Sequence, residues 1–174
     1  MRALRIALVV LVVLAVSIGS AVAAVGSSPE DQPSLNHVTG SLIVDPQTSG
    51  GTFHIQDRVF QYRDYPIAGS ELTFSDPRLD GELRSNWNWD IHSSGSQPVP
   101  SWGTMRISAD ENAWEGTFTG IRSADGQPFV VRAILFGQGA YDGLSATLDI
   151  SASGTAAGDT WTVDGVIHPD PTES

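Results

Sequence analysis

Two stretches of this chain carry side chains that could do chemistry. The first is Asn86-Trp87-Asn88-Trp89-Asp90-Ile91-His92. At a period of two, Trp87, Trp89 and Ile91 share one face of an extended strand, and Asn86, Asn88, Asp90 and His92 share the other. Asp90 and His92 stand two residues apart, close enough to share a proton or hold a metal ion. Zinc would need a further ligand, and His54 is the remaining mid-strand candidate, so no metal site is expected. The second stretch is Phe129-Val130-Val131-Arg132-Ala133-Ile134-Leu135-Phe136, nearly all apolar and read as buried on both faces. A guanidinium at the centre of such a strand must be paired. Glu115, on the preceding strand, is the expected partner. Two roles are open to that pair: a structural ion pair at the end of a barrel, or a hook for the anionic group of a ligand. If the polar face of the first stretch lines a lumen, then Asn86, Asn88, Asp90, His92, Glu115 and Arg132 form one candidate ligand-binding cluster. The Trp face would then be covered by a partner subunit. If the Trp face is core, the polar side chains stand in water, because a one-residue slip of register exchanges the two sets completely.

Other chemistries lack their residues. No G-x-S-x-G nucleophile turn is present, and His37, His54, His92 and His168 have no Ser partner in the sequence. No alternating Asp and Gly run would hold calcium. There is no Asn-x-Ser/Thr sequon, no cysteine and no lysine, which removes disulfides, thiol catalysis and Schiff-base chemistry. Catalytic residues are left unassigned and no cofactor is expected. Lys+Arg number 9 against 20 Asp+Glu, a net charge of −11. A polyanion would be repelled, so neither nucleic acid nor an anionic membrane surface is an expected partner.

The elements that must position these residues follow from the chain's organisation. Met1-Arg2-Ala3-Leu4-Arg5, an apolar run from Ile6 to Val16 and small residues through Ala24 have the order of a secretory signal peptide. Ala21-Val22-Ala23 places cleavage just after Ala23 or Ala24. A retained anchor is the competing reading, but the apolar run is shorter than the roughly 20 residues a spanning helix needs. The expected product is a secreted, extracellular domain. Losing Arg2 and Arg5 takes the net charge from −11 to −13. Residues 24–36 have linker composition and are read as a disordered leader, 37–168 as one domain, and 169–174 as a flexible tail.

Apolar residues alternate through the mature chain, with no helical period. Candidate strands are 38–44, 51–63, 70–75, 81–92, 103–108, 113–122, 128–137, 144–151 and 160–167, separated by turn clusters such as Asp76-Pro77 and Asp125-Gly126. Such even spacing predicts an all-β domain, an antiparallel up-and-down barrel of about eight strands, with a β-sandwich as the alternative. Gly116 and Gly120 flank Phe118 on the face of Trp114, as at barrel bends.

Trp114-Glu-Gly-Thr-Phe-Thr-Gly120, a further strand, and Gly137-Gln-Gly-Ala-Tyr-Asp-Gly-Leu144 follow Asp76-Pro77-Arg78-Leu79-Asp80-Gly81 and its long Trp-bearing strand. Together, over residues 76–168, these resemble secreted bacterial proteins related to the allene oxide cyclase and dirigent barrels. Those carry a Gly-x-Gly-x-aromatic-x-Gly turn late in an eight-stranded barrel, here Gly137, Gly139, Tyr141 and Gly143. The resemblance implies a barrel with a cavity, and a homo-oligomer, since plant relatives are often trimers. It does not carry an activity over: plant cyclases set a Glu, a Cys and a bound water around an epoxide, and this chain has no Cys. The expected role is a non-catalytic binding or structural domain. The alternatives are a cyclase-like isomerase acting on a small apolar molecule inside the barrel, and a carbohydrate-binding module using exposed residues among the five tryptophans.

Overall fold

The computed structural model describes residues 35–46, 50–124, 129–152 and 159–170. The expected signal segment, the leader through residue 34 and the tail from residue 171 lie outside the described residues. Among the described residues the strands run β1 (Asn36–Pro46), β2 (Thr52–Gln56), β3 (Val59–Phe74), β4 (Glu82–His92), β5 (Val99–Ala109), β6 (Asn112–Arg122), β7 (Phe129–Gln138), β8 (Leu144–Ala152) and β9 (Thr160–Pro169). Short 3-10 turns occupy Pro77–Leu79 and Gly139–Tyr141. Every pairing is antiparallel, in the order β1-β9-β8-β7-β6-β5-β4-β3-β2, and β1 also pairs with β3. That last pairing closes β1 and β3–β9 into a ring of eight, the barrel architecture expected from the sequence. Closure gives these strands partners on both sides. β2 stands outside the ring, paired with β3.

β3 explains how one strand serves both the ring and β2. Residues 51–63 are expected as a single strand, but the chain turns back at Asp57 and Arg58, both at positive φ (50° and 68°). It then runs 16 residues in one bent strand. The first half pairs with β2 from Val59 to Arg63, and the second half with β1 from Ile67 to Phe74. Between them the register on β4 shifts by a bulge at Asp64 (φ 55°). Bulges bend a strand and break its ladder locally, and Pro66 follows two residues after Asp64, where pairing with β4 has resumed at Tyr65.

The alternation read from the sequence decides what is inside. Leu83, Ser85 and Trp87 on β4, Met105 and Ile107 on β5, Trp114 and Phe118 on β6, and Val131, Ala133 and Leu135 on β7 are all buried and point into the ring. β7 is therefore buried on one face and not on both. Val130, Ile134 and Phe136 lie outside at 41–47% exposure, with Arg132 among them. A continuous apolar run made the two-sided reading natural. The outer half of that run faces solvent.

The two ends of the ring differ. The turns after β3 and β7 lie at one end and close it. Leu79, in the turn Pro77–Leu79, is fully buried. Asp76 fixes that turn, accepting from the Arg78 backbone N–H at 3.0 Å and from its guanidinium at 3.0 and 2.6 Å. The Trp114 indole donates to the Arg78 carbonyl at 2.7 Å. Tyr141 stacks on Trp114 at 5.3 Å. Gly137 permits this approach, since a Cβ there would collide with the Tyr141 backbone, and Gly139 and Gly143 take positive φ. At the other end, which holds a cavity, β4, β6 and β8 finish and β5, β7 and β9 begin.

Candidate functional site

The cluster anticipated from Asn86, Asn88, Asp90, His92, Glu115 and Arg132 does not assemble in the lumen. Trp87 is buried at 3% exposure, so β4 presents its Trp face inward and its polar face outward. Asn86 is exposed. Asn88 is half-buried and structural: its amide oxygen accepts the Asp64 N–H at 3.1 Å and its amide nitrogen donates to the Trp102 carbonyl at 3.2 Å. The first of these bonds satisfies a backbone N–H at the bulge. Asp90 lies 2.8 Å from the Arg63 guanidinium, an ion pair without the alignment of a hydrogen bond. Arg63 also donates to the Tyr62 and Trp89 carbonyls and lies over the Trp102 ring at 5.0 Å. His92 is half-buried on the same outer face. Among the described residues no group of three or more His, Asp or Glu side chains is gathered as metal ligands.

Glu115 and Arg132 are not partners. Both are exposed, and the β6–β7 register sets Glu115 opposite Phe136, with Arg132 opposite Thr119. Glu115 pairs with Arg106 at 2.6 Å. Arg132 makes two hydrogen bonds of 2.7 Å to Asp149, its direct neighbour on β8. The Arg132 guanidinium holds the Asp149 carboxyl below the usual carboxylate range, chiefly through those bonds. Grooves of about 570 and 510 Å³ run along the outer wall beside these pairs. Their arginines are already matched by carboxylates.

The cavity at the open end has a different character. It measures about 210 Å³ and is lined by Val44, Ile67, Trp87, Trp89, Ile91, Val99, Ser101, Arg122, Phe129 and Trp161. Trp87 forms its floor, packed on Phe118 at 4.2 Å, Phe129 at 5.5 Å and Trp161 at 5.9 Å. The Trp87 indole N–H is held by Ser85 Oγ at 2.8 Å, and that hydroxyl donates in turn to the Ile67 carbonyl. The floor is thus fixed in orientation and its polar atoms are satisfied. The Trp161 indole N–H is sealed from solvent and has no acceptor among the described residues.

The apolar wall continues past the ring. Trp89, Tyr62 and Phe53 are aligned across β4, β3 and β2, as are Ile91, Phe60 and Ile55. Tyr62 lies 5.2 Å from Trp89 and 5.0 Å from Phe53. Phe53 and Ile55 remain 49% and 63% exposed. β2, β3 and β4 therefore form a flap whose aromatic face runs on from the cavity wall. Among the described residues the lining carries no carboxylate, imidazole or thiol; besides the indole N–H groups its polar side chains are Ser101 and Arg122. Reasoning from sequence missed Arg122, although the signal was there. Counting by twos from the inward Trp114 gives Gly116, Phe118, Gly120 and then Arg122.

Compared with protein-family models, with curated proteins and with solved structures, the chain matches none.

Proposed function

We propose that the domain is a non-catalytic binding domain that takes a small apolar molecule into the aromatic mouth of the ring. The observation that carries this reading is the cavity of about 210 Å³ floored by Trp87 and walled by Trp89, Phe129 and Trp161, in a barrel whose other end is filled. Ligand sites are concave and mostly apolar, with a few placed polar groups. This one is smaller than the roughly 300–1,000 Å³ of drug-sized sites, which points to a small ligand or to the buried part of a longer one. That the described lining residues include no carboxylate, imidazole or thiol supports binding over a cyclase-like isomerisation, which needs groups that move protons. Exposed tryptophan, the feature a carbohydrate module would use, is scarce: Trp87, Trp114 and Trp161 are buried at 0–5%. Export by the N-terminal segment and kinship with the cyclase and dirigent barrels belong to the same proposal, supported by the order of residues 1–24 and by the glycine turn closing the far end.

The test is a titration of the mature domain with indole, naphthalene and hexanamide, followed by tryptophan emission and by thermal melting. Saturation at 100 times Kd stabilises by about 2.7 kcal/mol, a rise in Tm of several degrees. No change in emission or Tm with any of them refutes the reading. N-terminal sequencing of the exported protein tests cleavage after Ala23 or Ala24.

A further inference from the structure

With no lysine in the chain, arginine supplies every permanently charged cationic side chain, and acids outnumber it 20 to 9. Beyond Arg5 there are seven arginines. Five stand 2.6–2.8 Å from a carboxylate: Arg63 on Asp90, Arg78 on Asp76, Arg84 on Glu82, Arg106 on Glu115 and Arg132 on Asp149. The sixth, Arg58, is exposed at the tip of the β2–β3 turn, where water serves it. Arg122 is the exception. It is half-buried, it points inward at the last residue of β6, and it lines the aromatic cavity. Among the described residues it makes no ion pair.

A guanidinium withdrawn from water beside apolar walls is costly unless an anion compensates it. In a chain so rich in carboxylates, a structural partner would be easy to supply from a neighbouring strand. The positions opposite Arg122 are Val99 on β5 and Phe129 on β7, both apolar. Among the described residues the partner is missing where the cavity is.

We infer that the molecule held at the mouth is an apolar monocarboxylate, with its carboxylate on Arg122 and its apolar body against Trp87, Trp89 and Trp161. This rests on the reading of the mouth as a ligand site. A planar guanidinium offers two parallel N–H donors to a carboxylate, and the Ser101 hydroxyl is another polar group of the lining. A neutral molecule of the same shape would leave Arg122 unmatched. A dianion would bring one charge too many to a single cation in an acidic protein. The cavity volume limits the enclosed part to a small ring system or a short chain, and the flap face of Tyr62 and Phe53 can carry a longer one outward.

The experiment compares isosteric pairs by calorimetry: 3-phenylpropionate with 3-phenylpropanamide, 2-naphthoate with 2-naphthamide, and hexanoate with hexanamide. Each pair is run on the mature domain, on Arg122→Gln, on Arg122→Lys and on Arg132→Gln. The expected result is that at least one acid binds about tenfold or more tightly than its amide, the ratio that corresponds to 1.4 kcal/mol. Arg122→Gln brings acid and amide to parity without weakening the amide. Arg122→Lys, which keeps the charge, retains part of the preference and guards against misfolding of the Gln variant. Arg132→Gln leaves it unchanged. Acids and amides binding equally in the unsubstituted domain overturn the inference and leave the apolar site standing. A preference that survives Arg122→Gln overturns it too. Failure of every acid and every amide to bind overturns both this inference and the site.

Discussion

Adjacent residues on β4 should respond to truncation in opposite ways. Trp87 is buried at 3% exposure, with three aromatic rings around it and its indole N–H bonded to Ser85. Asn86 beside it is exposed and has no side-chain hydrogen bond to another described residue. Truncating a buried Trp to Ala removes its transfer free energy and leaves a void that rigid neighbours fill only in part, a loss of about 3–5 kcal/mol. That is a large share of the 5–15 kcal/mol by which domains are stable. At about 3 °C per kcal/mol for a chain of this size, Tm should fall by about 10–15 °C. Asn86→Ala, away from any buried contact, should stay within about 0.5 kcal/mol. Urea unfolding of the protein followed by far-UV circular dichroism reads both without relying on tryptophan emission. The refuting result is equal loss at the two positions, or a larger loss at Asn86. Either would mean that the strand presents its polar face to the core, and the aromatic cavity would go with it.

Three further outcomes follow from the packing. The Asp76 carboxyl is held below its ordinary value chiefly by hydrogen bonds from the Arg78 side chain; its stabilisation is therefore whole above the unfolded value of about 3.9 and is lost as pH falls through the lower folded value. Asp76→Asn should be less stable than the parent at neutral pH, and urea midpoints should show that deficit narrowing below about pH 4. Gly103→Ala should cost about 1–3 kcal/mol or more in the same unfolding assay, because a Cβ there would collide with the Asn86 carbonyl, a backbone atom that cannot rotate away. Arg132→Gln should leave Tm unchanged in thermal melts at physiological salt, since its bond to Asp149 is between exposed groups that water screens.

The architecture was readable because closure and alternation leave strong local marks. Period-two patterning gave most strand centres within a few residues, and the glycines at 137, 139 and 143 sit where the far end is sealed. The β2–β3 hairpin was not readable. Its turn places Asp57 and Arg58 at positive φ, where glycine or asparagine would have announced it. Nor was the length of β3, because a proline ordinarily ends a strand and Pro66 sits just beyond a bulge that only the three-dimensional register reveals.

The inward face of β4 was not readable for a different reason. The sequence presents two faces of β4 and leaves open which one turns inward, and Asn, Asp and His draw attention because they can do chemistry. The lumen was settled by volume and desolvation. Burying Trp87 and its neighbours is favourable, whereas burying Asn88 and Asp90 without full partners is not. Outside, the same polar residues have work: Asn88 bonds the bulge and Asp90 balances Arg63.

The difference between the two ends of the ring has a cause in the side chains that fall inward at each. At the sealed end, the inward positions are filled by Trp114, Leu135 and Ile167, and a 3-10 turn delivers Leu79 onto them. At the open end, β6 reaches its last inward position with Arg122 and β5 contributes Ser101 where its sealed end has Ile107. Neither can complete an apolar core: one is charged and the other small. The rings of Trp87, Phe129 and Trp161 are too rigid to collapse into the remaining space, since aromatic side chains fill volume only in set orientations. A cavity at this end is therefore the direct consequence of two residues, and replacing both by leucine should close it. The double variant Ser101→Leu/Arg122→Leu is expected to melt no lower than the parent while losing all response to indole, which separates a site kept open at a cost from a packing defect. If the double variant still binds indole with unchanged affinity, the two residues do not shape the mouth, and the cause assigned to the cavity is wrong.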